Sequence, residues 1–230
     1  MIDLHRFDRD GFAIAKSLLS PDEVDRLLVL LSPVGSDSDT NRGGVRDVLD
    51  RVPKLRGVAE HHAVRRLVDT ILGSEALLVR ATMFDKTADS NWKVPWHQDL
   101  TIAVDKRLDT PSYGPWSVKS GLIHVQAPTS ILMRMLTVRI HLDPCPAENG
   151  ALRVMPGSHK LGRIDQNYAV QYVDERAAVY CEAMVGDALL MRPLLLHASS
   201  VCQHPFHRRV LHLDFAAGKL DGELQWRMRS

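Results

Sequence analysis

Seven short apolar runs separated by turn residues occupy the chain from residue 76 onward, and they restrict the fold more than any other feature. They cover residues 76–84, 136–142, 151–155, 179–184, 188–191, 194–199 and 210–215. The breaks between them carry turn chemistry, notably Glu148-Asn149-Gly150, Pro156-Gly157-Ser158-His159 and Gly186-Asp187. Two helical patterns precede them. Ser20-Pro21-Asp22-Glu23 is a helix start, with Ser20 as cap, Pro21 at the first helical position and Glu23 closing a capping box. Val24, Leu27, Leu28 and Leu31 follow at helical spacing. Between 61 and 72 a second stripe, Val64, Leu67, Val68 and Ile71, ends at Gly73. Helices first and then many short strands predict a mainly β fold with flanking α, a double-stranded β-helix (jelly roll, cupin-like) carrying N-terminal helices.

The 230 residues fit a single domain, 1–230. A net charge of +1 without a basic run gives no electrostatic case for nucleic acid or for an acidic membrane surface. Cys145, Cys181 and Cys202 lack CxxC spacing, so neither a disulfide framework nor a zinc knuckle is indicated and a cytoplasmic setting is expected. No run is long enough to span a bilayer. The expected partner is a small molecule, and the expected state is a monomer or homodimer.

Residues 36–44 read as an exposed loop. It contains Arg42 and is followed by Arg46, and Arg42 on a lid is the sharper reading. Residues 99–131 show little periodicity and read as a long ordered loop, rich in Tyr113, Trp116, Leu122, Ile123 and Val125, that walls a pocket. On residues 136–143 the apolar side chains alternate with Thr137, Arg139, His141 and Asp143, which read as a solvated sheet face, with Arg139 a possible contact for an acidic substrate.

The chemistry-bearing motif is His-x-Asp. An imidazole and a carboxylate at i and i+2 leave a strand from one face and can hold two corners of a metal; a second histidine completes a facial triad with three open sites. The chain contains this motif three times: His97-Gln98-Asp99, His141-Leu142-Asp143 and His212-Leu213-Asp214. The second ends in the turn Pro144-Cys145-Pro146, and the third has no histidine after it. The first is followed by His197 and then by Arg208 on the last strand, a guanidinium that inside a barrel needs a carboxylate or phosphate partner. His97, Asp99 and His197 are therefore the expected metal ligands, Asp143 and Asp214 are expected to be dispensable, and Arg208 is the expected anchor for a dicarboxylate. Arg209 replaces Arg208 if the strand register slips by one.

The set Asp10-Gly11-Phe12, Ser20-Pro21-Asp22-Glu23, Trp96-His97-Gln98-Asp99, Glu148-Asn149-Gly150, Pro156-Gly157-Ser158-His159, Gly186-Asp187 and His197-Ala198-Ser199 followed by Arg208 resembles the phytanoyl-CoA dioxygenase family of Fe(II)- and 2-oxoglutarate-dependent oxygenases. The resemblance implies iron held by His97, Asp99 and His197, and 2-oxoglutarate held through its distal carboxylate by Arg208 and Ser199, with Trp116 lining the cosubstrate site. It implies hydroxylation of an unactivated C–H bond by O2, with succinate and CO2 as coproducts. Related halogenases lack the carboxylate ligand, which Asp99 supplies here. The family's helper lysine upstream of the iron pair has no clear match; Arg42 and Lys86 are candidates. The contrasting expectation is a cupin-like protein that binds a metal or ligand without turnover.

Overall fold

The computed structural model describes residues 2–34, 44–204 and 207–228. Arg42 and the stretch around it lie outside the described residues. In chain order the elements begin with helix α1 (Leu4–Asp10), strand β1 (Phe12–Ala15) and helices α2 (Pro21–Leu31), α3 (Val48–Arg51), α4 (Arg56–Ala59) and α5 (His62–Leu72). Strands β2 (Leu77–Lys86), β3 (Val94–His97), β4 (Thr101–Val104), β5 (Trp116–Lys119) and β6 (Leu122–Gln126) follow, then helix α6 (Thr129–Leu132). The chain closes with β7 (Met135–His141), β8 (Leu152–Val154), β9 (Val179–Cys181), β10 (Ala188–Met191), β11 (His197–Ser199) and β12 (Arg208–Ala216).

The capping box forms as its residues dictate: Ser20 donates its backbone N–H to Glu23 at 2.7 Å, and Glu23 donates back to the Ser20 hydroxyl at 3.4 Å. Antiparallel pairing builds a five-stranded sheet in the order β1-β10-β7-β12-β2, a four-stranded sheet β3-β11-β8-β9 and a three-stranded sheet β4-β6-β5. The jelly roll is borne out. Helices bury Val24, Leu27, Val64 and Val68 against Leu136, Val138, Ile140, Leu211 and Leu213 on the outer face of the five-stranded sheet. Its inner face meets the four-stranded sheet through Leu189, Met191, Leu152, Val154 and Cys181.

Two expectations are corrected. The segment 99–131 is not a structureless loop; it contains β4, β5 and β6, closed at Ser120-Gly121, where both residues take positive φ. Its strands are four or five residues long, too short for a period of two to register. The polar stripe of β7 is not solvated either: Thr137, Arg139 and His141 are all buried. Helices cover one face of this sheet and a second sheet covers the other, so polar alternation here marks a polar interior. Among the described residues no helix is long and apolar enough to cross a membrane.

The β1–β10 edge is locked by the Gly186-Asp187 turn. A side chain at Gly186 would place its Cβ 2.2 Å from the Leu19 carbonyl oxygen, and the φ of +81° there is left-handed backbone that suits glycine. Buried Asp187 accepts from Lys16 Nζ at 2.8 Å, Ser17 N–H at 2.8 Å and Met184 N–H at 2.9 Å. Asp187→Ala leaves two backbone donors unpaired and is expected to cost roughly 2–4 kcal/mol, read from urea unfolding midpoints.

Candidate active site

Strands β3 and β11 pair antiparallel with His97 opposite His197. The two imidazoles therefore leave neighbouring strands toward one point, with ring centroids 4.1 Å apart. Asp99 lies just past the end of β3, its backbone N–H bonded to the Pro193 carbonyl, and its carboxylate comes 3.8 Å from His97 Nε2 and 3.6 Å from His197 Nε2. One ligand atom from each of the three lies within 4.8 Å of the others, and this is the metal-capable cluster among the described residues. Gln98 points the other way, as a strand's alternation requires, and ties the end of β3 down through Leu194 O at 2.6 Å, Gly162 O at 2.8 Å and the Ile164 N–H at 2.8 Å.

Each histidine is oriented by its own strand. His97 Nδ1 lies 2.9 Å from Pro95 O, and His197 Nδ1 lies 2.9 Å from Leu195 O. A carbonyl can only accept, so both Nδ1 atoms carry the proton and both Nε2 lone pairs face the carboxylate. Burial, and then His97, hold His197 neutral. Burial works against the ionised form of Asp99, but His197, His97, His212 and Arg80 outweigh it and keep the carboxyl below its usual range. Two bare imidazole nitrogens and one carboxylate are the donor set of a facial triad, and the site fits a divalent iron.

A second group of side chains surrounds the inner ends of β2 and β12, where Lys86 pairs with Arg208 in register. Lys86 is fully buried and donates to Ser199 Oγ at 3.1 Å and Ser200 O at 2.6 Å. Arg208 is buried too, with Nη1 3.7 Å from Cys145 Sγ and Nε without a partner. Neither cation meets a carboxylate among the described residues. Arg209 faces the other way and forms a two-pronged pair with Asp143 at 2.8 and 2.7 Å, so the unslipped register places Arg208 inside. Trp116 is not gathered here: it pairs with Val125, packs with Leu108 and Tyr113 against the core of the small sheet, and has Arg107 5.6 Å from its ring.

Between these groups runs the polar stripe that the sequence reading took for a solvated face, joined here by His212 and Asp214 of β12 and Arg80 of β2. Arg139 Nη1 meets His212 Nδ1 at 2.8 Å; His212 Nε2 lies 3.0 Å from Asp214 Oδ1, which also accepts from Thr137 at 2.6 Å. Arg80 Nε donates to Asp214 Oδ2 at 2.6 Å. His141, beside Arg139 on the same face, has both ring nitrogens buried and unpartnered, and burial, then Arg139 and Arg208, push its pKa down to about 3. The alternation of β7 and β12 carried this stripe, but only the second sheet shows that it is enclosed.

Asp214 lies outside the triad and is tied instead to Arg80, Thr137 and His212. Asp214→Ala strands buried Arg80, Thr137 and His212 and is expected to cost roughly 3–5 kcal/mol in urea unfolding, whereas Asp143→Ala, breaking a half-exposed pair, costs about 1 kcal/mol. Lys86 gives a pH signature. Burial, then the nearby Arg208, lower its pKa from 10.5 to about 8. Between those values the unfolded chain holds the extra proton, so stability rises with pH. Relative to Lys86→Met, the wild-type protein should gain on the order of 3 kcal/mol across that window; a difference that is flat or falling with pH contradicts the buried, destabilised ammonium.

Comparison with known proteins agrees with this geometry. A family model described as phytanoyl-CoA dioxygenase (PhyH) matches residues 7–210. An ectoine dioxygenase of Sphingopyxis alaskensis is 26% identical over 167 residues, covering 67% of this chain and 48% of its own length. One from Streptomyces coelicolor is 28% identical over 172 residues, covering 69% and 50%. The chain therefore spans about half the length of the curated relatives it matches. Among solved structures, apo EctD from S. alaskensis superposes with a TM-score of 0.69 at 21% identity, covering 94% of this chain and 77% of its own. The α-ketoglutarate-dependent epimerase SnoN from nogalamycin biosynthesis superposes with a TM-score of 0.70 at 18% identity, covering 94% and 79%. With the match running from α1 into β12 and taking in the triad and Arg208, the chain belongs to the phytanoyl-CoA dioxygenase family.

Proposed function

We propose that this chain is an Fe(II)- and 2-oxoglutarate-dependent oxygenase that hydroxylates an unactivated C–H bond of a small organic molecule. The observation that carries the reading is the convergence of His97 Nε2, His197 Nε2 and the Asp99 carboxylate beside two buried cations that meet no carboxylate among the described residues. The relatives support it: ectoine dioxygenases are among the curated matches, and EctD from S. alaskensis has been crystallised with Fe and with 2-oxoglutarate and 5-hydroxyectoine.

His97, Asp99 and His197 would hold the iron, and the carbonyls of Pro95 and Leu195 keep the two imidazoles in the tautomer that ligation needs. Arg208, with the Ser199 hydroxyl and Lys86, would hold the distal carboxylate of 2-oxoglutarate through charge-assisted hydrogen bonds in a water-poor interior. When bound, iron and 2-oxoglutarate together supply the oxidation by O2, with succinate and CO2 released. The protein's own contribution is position and exclusion of water: the apolar Leu152, Val154, Leu189 and Met191 close the space between the sheets.

Purified protein given Fe(II), 2-oxoglutarate and O2 should release succinate slowly even without a primary substrate. Asp99→Ala should abolish both iron uptake and succinate release while retaining a cooperative unfolding transition. Arg208→Gln should weaken 2-oxoglutarate binding on the order of 100-fold, as loss of a two-pronged charged pair implies, whereas Arg209→Gln stays near wild type. Absence of both 2-oxoglutarate binding and succinate release in iron-loaded wild type would sink the reading.

A further inference from the structure

The small sheet β4-β6-β5 has one face in its own core and one face turned elsewhere, and the second carries an unassigned set of charges. Register settles which residues share it. Ala103, His124 and Ser117 stand side by side across the strands, with Lys119 and Leu122 as the next pair, while Ile102, Val125 and Trp116 point into the apolar cluster behind. Ala103 and Leu122 line a cleft together with Arg46 and Arg80. Arg46 reaches this cleft because its neighbour Val45, bridged to Met83 of β2, is buried in the helix-side core, which turns the next side chain inward.

The charges on this face do not balance. Arg80 is paired with Asp214, Asp47 with Arg51 at 2.9 Å and Asp50 with Arg227 at 2.6 Å. Arg46 has one weak contact, 3.5 Å to the Gly44 carbonyl, and Lys119 has no ion pair among the described residues. Lys119 lies close enough to Arg46, Arg80 and Asp99 to feel their charges, so the cations stand on the metal-facing side. His124 sits among them, fully buried. Its Nδ1 is 3.0 Å from Leu122 O, the same arrangement with the carbonyl two residues back that orients His97 and His197, and its Nε2 has no partner. That nitrogen is a bare acceptor in a dry setting, which is costly unless a ligand donates to it.

We propose that Arg46, Lys119 and His124 form the recognition site for the primary substrate: the two cations bind an anionic group, a carboxylate or a phosphate, and His124 Nε2 accepts a hydrogen bond from a hydroxyl or N–H of the same molecule. This assignment rests on the oxygenase reading and adds the class of substrate to it. It places the substrate's anion on the small sheet, apart from the Arg208 end that serves the cosubstrate, so the two anions occupy separate cation pairs.

The test uses benzoate and inorganic phosphate as probes, titrated calorimetrically into protein loaded with Mn(II) and the unreactive diacid N-oxalylglycine. Loaded wild type should bind both probes, and should bind neither benzamide nor benzylamine. Arg46→Gln and Lys119→Gln should each weaken the probes by about tenfold or more, with Arg46→Lys and Lys119→Arg recovering most of the loss. Metal-free Arg208→Gln should still bind them, since the cosubstrate anchor is then absent. The proposal is overturned if wild type ignores the anions, if it binds benzylamine as well as benzoate, if both Gln variants bind as wild type does, or if binding vanishes in Arg208→Gln alone. Failure of the oxygenase reading shows separately, as absence of Mn(II) and N-oxalylglycine uptake in the loading step.

Discussion

The pairing of β3 with β11 governs the site. Setting His97 opposite His197 brings together two imidazoles from residues a hundred positions apart, and the turn beyond β3 brings the Asp99 carboxylate to both. The carbonyls of Pro95 and Leu195, each two residues before its histidine, accept from Nδ1–H of both rings and turn their Nε2 lone pairs inward. Gln98, buried on the opposite side, braces the end of β3 by three hydrogen bonds, so the ligand geometry is held before any metal arrives.

Around that pair the interior is strongly cationic. Lys86 and Arg208 at one end, Arg139 along the stripe, and Arg46 with Lys119 at the small sheet are enclosed or half-enclosed with few carboxylates among the described residues to balance them. Asp214 is committed to Arg80, Thr137 and His212. A fold that retains so much desolvated positive charge bears a stability penalty that anionic ligands relieve, which is the usual relation between a binding site and the stability of the protein around it. Iron, a diacid and an anionic substrate would together complete the electrostatics that the polypeptide leaves open.

Much of this was legible in the residues. The capping box at Ser20 and Glu23, the stop at Gly73, the strand runs and the ranking of the three His-x-Asp motifs all rest on local chemistry or on order along the chain. The choice between Arg208 and Arg209 was not: adjacent strand residues are equivalent until pairing with β2 and β7 assigns their faces, and only then does Arg209 find Asp143 outside. Trp116, aligned by resemblance to the cosubstrate site, is partly buried against the core of the small sheet, because β5 and β6 are paired so that it stands beside Val125.

By itself the sequence determined which side chains alternate, where helices begin and stop, and which histidines and carboxylates can share a strand face, since these follow from backbone periods of two and 3.6 residues. It did not determine what each face meets. Thr137, Arg139 and His141 look the same on a solvated sheet as inside a barrel, and Arg46 lies some seventy residues before the hairpin that carries Lys119 and His124, with no common motif. Only the stacking of one sheet on another, and of the small sheet beside them, decided that these polar groups are wholly or partly withdrawn from water, because burial is a property of surfaces brought together over long sequence separations.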